Sequence, residues 1–127
     1  PGPSTDELMK RLSEFWLPDE SVLYVGRTAR TLKKRVGEYY KTQLGDRRPH
    51  AGGHWIKTLS ILGETFVHFA RTSDPEGVEQ ELLGAFIDNV SEKTRTGLRD
   101  PERPYPFANL EFPPGNRKQH GIGKSKR

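Results

Sequence analysis

Cysteine is absent from the 127-residue chain. Its absence excludes disulfides, thiolate metal ligands and a cysteine nucleophile. Of the usual zinc ligands, four histidines remain, and His50, His54, His68 and His120 do not fall into the paired spacing of a structural zinc site. Long apolar runs are missing too. Apolar residues make up only 31% of the chain, and none of their runs approaches the roughly 20 residues that span a bilayer. No membrane segment is therefore expected. No secretory leader is expected. Pro1-Gly2-Pro3 reads as the cut end of a longer chain, and a soluble, cytoplasmic location is the expectation. Charge of one sign is also lacking. Against 21 Lys and Arg stand 17 Asp and Glu, which leaves +4 and a pI of about 9.5. That balance permits a polyanionic partner without requiring one.

What is present suits a single domain with an economical core. Ser4 and Glu7 stand at capping-box spacing, and Leu8, Leu12 and Phe15 recur at helical spacing, which predicts a helix over 5–15. Pro18-Asp19-Glu20-Ser21 is a turn signal between Phe15-Trp16-Leu17 and Val22-Leu23-Tyr24-Val25-Gly26, so a β-hairpin is expected. Its second run is nearly all apolar and is expected to be the central strand. Thr28 or Thr31 can cap the next helix, which reaches about residue 41 on a stripe of Leu32, Val36, Tyr39 and Tyr40. Residues 43–54 form a loop rich in Gly, Arg and His, and Trp55 to Leu62 a short helix ended by Gly63. Thr65 to Ala70 is expected as a third strand. Asp74 or Ser73 then caps a helix with Pro75 in its first turn, running to about Val90. From Lys93 the chain is Pro-rich and without periodicity. The expected fold is α+β, a small central three-stranded antiparallel sheet flanked by helices, over residues 1–112, followed by a basic tail over 113–127.

One carboxylate stands in the wrong place. Val78, Leu82, Leu83, Ala85, Phe86, Ile87 and Val90 define one broad apolar face, and Glu79 lies along the middle of it, whereas Glu81 lies opposite, on the wet side. A carboxylate on a buried face costs several kcal/mol unless it is paired or bound to metal. Two readings of Glu79 stay open: a buried ion pair, or a hard oxygen ligand for a divalent cation in a cleft.

Cations cluster after the central run: Arg27, Arg30, Lys33, Lys34 and Arg35. Such a cluster binds phosphates through charge and bidentate hydrogen bonds, or is simply a solvated face. Arg35 borders the apolar stripe, while Lys34 faces away. The loop Arg47-Arg48-Pro49-His50-Ala51-Gly52-Gly53-His54-Trp55 mixes cations, glycines and an aromatic, which suits close approach to a phosphate; Trp55 also suits a core.

Together these residues resemble the GIY-YIG nuclease family. Tyr24-Val25-Gly26 resembles its Tyr-Ile-Gly strand. Leu32-Lys33-Lys34-Arg35 is similar to the stretch that carries the catalytic arginine, with one extra residue after the glycine. Val78-Glu79-Gln80-Glu81-Leu82-Leu83 is similar to the segment with the metal-binding glutamate, and Pro106-Phe107-Ala108-Asn109-Leu110 resembles the terminal Pro-x-x-Asn motif. The resemblance spans roughly residues 15–110. In one respect the chain departs from it: the family's leading-strand tyrosine has no counterpart, and Phe15-Trp16-Leu17 stands there, with no group that can ionise.

The resemblance implies phosphodiester hydrolysis in nucleic acid, with DNA the expected substrate and a single Mg²⁺ or Mn²⁺ as cofactor. It implies that Glu79 holds the metal, Arg35 binds the scissile phosphate, Tyr24 orients or deprotonates the attacking water, and Asn109 fixes Glu79 or the backbone near it. Tyr39 and Tyr40 are candidate substitutes for the lost tyrosine, or ordinary packing residues. Gly26, Arg27, Lys33, His54, Arg117 and Lys118 are expected to bind substrate, with His50 and His54 as proton carriers and the tail, His120 included, tracking the backbone. Two rivals stand beside this reading: a catalytically silent nucleic-acid-binding module, which the missing tyrosine favours, and a protein-interaction domain, which the modest charge allows.

Overall fold

The computed structural model describes residues 4–28, 31, 33, 34, 36, 37, 55, 56 and 58–121. Helix α1 spans Thr5–Ser13, and its start follows the expected chemistry: the Ser4 hydroxyl accepts from the Glu7 N–H at 3.2 Å. Asp6 and Glu7 lie in its first turn and Lys10 and Arg11 in its last, each matching the helix dipole. Thr31 accepts from the Lys34 N–H at 3.4 Å, so the cap of the next helical stretch is Thr31.

Helix α2 spans Pro75–Asn89. Asp74 caps it by accepting from the Gly77 N–H at 3.0 Å, and Pro75 opens it. Its buried ridge is narrower than the expected face. Leu83 is buried and Phe86 and Ile87 partly so, but Val78 and Leu82 are 36% and 53% exposed. Helix α3, Glu92–Gly97, lies where no periodicity announced it. Its cap Ser91 accepts from the Thr94 N–H, and both hydroxyls donate to Asp19, at 2.9 Å from Ser91 and 2.6 Å from Thr94. Those bonds, chiefly that from Thr94, hold the Asp19 carboxyl below its usual range.

The expected three-stranded antiparallel sheet is overturned. Among the described residues the β pairing is confined to one isolated bridge, Glu111 with Arg117, and the regular elements are helical. The physical reason lies in the hydrogen bonds. Phe15 and Trp16 N–H groups bond back to Leu12 and Ser13, so this run is the unwinding end of α1. Pro18-Asp19 does form a turn, with the Glu20 N–H on the Leu17 carbonyl, but the Val22–Gly26 run beyond it meets a different partner. The Leu23 carbonyl accepts from the Ala108 N–H at 2.8 Å, and the side-chain amide of Asn109 takes both the N–H and the carbonyl of Val25, each at 2.8 Å. A segment whose peptide groups are satisfied this way needs no flanking strand. Thr65 to Ala70 has no regular structure and is exposed throughout, Phe66 at 85% and Val67 at 59%, so its apolar residues mark no buried face.

Among the described residues the core has two parts. Leu12, Phe15, Trp55, Phe107 and Ala108 form the first, with Leu8, Trp16, Tyr24, Ile56, Leu59 and Leu110 packed on it. Trp55 touches the rings of Phe15 and Phe107 at centroid distances of 5.5 and 5.3 Å. Leu17, Val90 and Leu98 form the second, joined by Phe86. The stretch after residue 112, expected as a solvated tail, folds back onto the first core as far as His120. Tyr105 donates to the carbonyls of Phe112 and Asn116, Arg103 to the Asn116 side chain, and buried Asp100 accepts from the Gln119 N–H. Gly115, at φ +94°, makes the turn that this return requires. Among the described residues, no helix is long and apolar enough to cross a membrane.

Candidate active site

Three segments meet around a cleft of about 240 Å³. Tyr24 and Val25 form one wall, and Glu79 and Leu83 of α2 another. Ala108 to Glu111 and Arg117 complete the lining. Buried Leu83 supplies an apolar floor, and the polar groups around it are two carboxylates, a phenol, an amide and a guanidinium. The Asn109 clamp builds the first wall. By holding both polar groups of the Val25 peptide it sets the backbone from which Tyr24 projects. Asn109 is itself buried, at 7% exposure, so the clamp works away from competing water. Asn109 was expected to fix Glu79 or the backbone near it, and its side-chain bonds go to the Val25 backbone.

Gly26 has a specific reason to lack a side chain. A Cβ there would stand 2.5 Å from Tyr24 Cε2 and 2.8 Å from its hydroxyl. The Tyr24 ring therefore folds back across the Gly26 backbone, and any larger residue would push it away. Next in the chain, Arg27 turns towards α2. Its guanidinium lies 3.3 Å from Glu76 and 3.6 Å from Glu79, carboxylates one turn apart on the helix. The Glu79 side chain is 23% exposed, against 64% for Glu76, so the pair runs from the cleft wall to solvent. Glu81 is exposed, as its register implied.

Of the expected site residues, Tyr24, Glu79, Asn109 and Arg117 thus line one cleft. Gly26 and Arg27 adjoin it through the contacts just given. Lys33 is exposed and does not line it. Arg35, Tyr39 and His54 lie outside the described residues, as do Tyr40 and His50. Lys118 is a correction. Expected as a solvated phosphate ligand, it is 4% exposed, and its ammonium donates to the carbonyls of Pro106 and Phe107 at 3.0 and 2.9 Å. The rings of Trp55, Phe15 and Tyr105 surround it at 5.2, 5.8 and 6.0 Å. It belongs to the core, and burial pushes its pKa down to about 7 while Asp100 pulls it back up. His120 is half-buried against Trp55, and burial, helped by Arg117, Lys118 and Arg11, lowers its pKa as well.

Glu111 was not expected at the site. Its signal in the sequence was faint, a carboxylate two residues beyond Asn109. One of its oxygens accepts from the Gly115 N–H at 2.6 Å, which commits it largely to the turn.

A divalent cation suits this donor set in one form. Glu79 is a hard carboxylate ligand on the cleft wall, and among the described residues no three Asp, Glu or His side chains gather into a metal cage. That fits a hydrated Mg²⁺ held by about one carboxylate and by substrate phosphate, and does not fit a dedicated all-protein site. Comparison of the chain with models of known protein families, with curated proteins and with solved structures gives no match.

Proposed function

We propose that the chain is a divalent-metal-dependent endonuclease domain that hydrolyses a phosphodiester bond in nucleic acid, with DNA the expected substrate and the cytoplasm the expected location. One observation carries this reading: Tyr24, Glu79 and Asn109, three positions of the GIY-YIG-like motifs that lie far apart in sequence, share one cleft with Arg117. The fourth, Arg35, is assigned from the resemblance alone.

In this reading Glu79 holds Mg²⁺ or Mn²⁺, whose chemistry is to offset charge on the phosphate and the leaving oxygen. Arg117, an exposed residue of the same lining, donates to the non-bridging phosphate oxygens, the role that the resemblance gives to Arg35. Tyr24 orients the attacking water through its hydroxyl. Asn109 touches no substrate. It is a positioning residue that acts through Val25 on Tyr24. Gly26 leaves the surface over which the Tyr24 ring lies.

A silent nucleic-acid-binding module is the second reading, and a specific observation favours it. Phe15 and Leu17, where the family's leading tyrosine would stand, are buried in the two cores and offer no ionisable group. The two readings part on one experiment. Supercoiled plasmid and RNA are incubated with the protein in Mg²⁺, Mn²⁺ or EDTA, alongside Glu79→Gln. Nicking that needs metal and Glu79 supports the nuclease. Salt-sensitive binding without cleavage in any metal supports the silent module.

A further inference from the structure

We infer that Arg27 is a resting counter-charge of Glu79 and yields that carboxylate when a divalent cation enters the cleft, so that metal affinity is tuned by an exchange within the chain; this rests on the metal-dependent reading of the same cleft. The geometry is that of a charge with two berths. Arg27 lies between Glu76 and Glu79, which α2 places on one side of the helix by their three-residue spacing. Both separations, 3.3 and 3.6 Å, are ion-pair distances, and the one to Glu79 is too long for a good hydrogen bond. Glu76 is the wetter partner, and Glu79 the one on the cleft wall. A guanidinium that leaves Glu79 therefore keeps a carboxylate within reach and need not enter solvent unpaired.

The backbone favours such a swing of the side chain alone. Val25, two residues earlier, is pinned by Asn109 at both polar groups, so the main chain leading to Arg27 starts from a fixed point. Two cations cannot share one carboxylate cheaply. A divalent ion at Glu79 would stand within a few ångströms of the guanidinium, and like charges at that range repel unless one retreats. Because the loose pair is worth little by itself, the exchange tunes affinity instead of blocking the site.

The test uses metal with a saturating mononucleotide, which supplies the phosphate ligand, in place of nucleic acid. Mn²⁺ binding is followed by the relaxation enhancement of water protons for the full chain and for Arg27→Ala, Arg27→Lys and Glu79→Gln. The Nε–H signal of Arg27 is followed by NMR during a Mg²⁺ titration. The expected results are Mn²⁺ affinity about fivefold tighter in Arg27→Ala, affinity near that of the unmodified chain in Arg27→Lys, and an Arg27 signal that moves with metal saturation. If Glu79→Gln loses Mn²⁺ binding while Arg27→Ala binds no more tightly and the Arg27 signal stays fixed, the exchange is wrong and the metal site stands. If Glu79→Gln binds Mn²⁺ as well as the unmodified chain, the metal-dependent reading itself fails, and the exchange falls with it.

Discussion

Replacing Lys118 by Met probes the most heavily committed side chain of the core. The substitution keeps most of the length and removes the ammonium that bonds to the Pro106 and Phe107 carbonyls. Each hydrogen bond to a charged donor contributes about 1.5–3 kcal/mol, and the carbonyls are left unpaired, so the loss is several kcal/mol less whatever the charge costs to bury. That offset depends on pH, and its sign can be worked out. Burial lowers the Lys118 pKa from its ordinary 10.5 to about 7. Between those values the unfolded chain binds the proton and the folded chain does not, so stability rises with pH across that window. Below about pH 7 both states carry the proton and the whole burial penalty is present. At about 1.4 kcal/mol per unit, the folded chain should gain about 2 kcal/mol between pH 7 and pH 9. The Met variant lacks this gain, so the gap between the two proteins should widen by that amount. Urea unfolding followed by circular dichroism at pH 6, 7 and 9 measures it, and groups common to both proteins cancel in the difference. A gap that stays constant with pH, or a Met variant as stable as the parent at pH 9, would refute the reasoning.

In a plasmid-nicking assay, Glu79→Ala should lower Mg²⁺-dependent cleavage by a factor on the order of 10² or more, while Glu81→Ala, on the exposed side, changes it by less than about twofold. Asn109→Leu leaves the Val25 N–H and carbonyl without their partner and should cost about 2 kcal/mol in urea unfolding, with loss of cleavage beyond what the unfolded fraction explains. Gly26→Ala should swing the Tyr24 ring out of place and reduce kcat with only a small change in Tm; unchanged kcat would remove Tyr24 from the chemistry. Ending the chain at Gly121 removes Lys124, Lys126 and Arg127, and the slope of log K against log salt for duplex DNA should fall by about 1–3. An unaltered slope would mean that those cations make no phosphate contact.

The starts of α1 and α2 and the Thr31 cap were legible because their causes are local. Ser4 with Glu7, Asp74 with Pro75, and Thr31 each carry their capping partner within three residues. Glu79 was legible for a related reason: a carboxylate on an apolar stripe contradicts its neighbours, and the helix period shows which way it faces. The sheet was misread because a short apolar run tells which residues could pair and not what satisfies their peptides. In Val22–Gly26 that work falls to Leu23 with Ala108 and Val25 with Asn109, contacts with no nearby signature. Lys118 stayed hidden on the same account. Its surroundings come from Phe15, Trp55 and Tyr105, three distant segments, and a lysine in a polar, Pro-rich stretch reads as solvated. Arg27 looked like a phosphate ligand because its partners sit on a helix about fifty residues onward.

The amide clamp also fixes when the cleft can exist. Asn109 and Val25 are 84 residues apart, and closing so long a loop is a late, entropically expensive step relative to forming α1 or α2. During synthesis the segment bearing Tyr24 leaves the ribosome long before the residue that shapes it. Lys118, which seats the returning chain among the core rings, follows later still. A nascent or truncated chain that stops short of Asn109 therefore carries Tyr24 and Glu79 without the wall that joins them. Under the proposed function, cleavage would then wait for the finished chain.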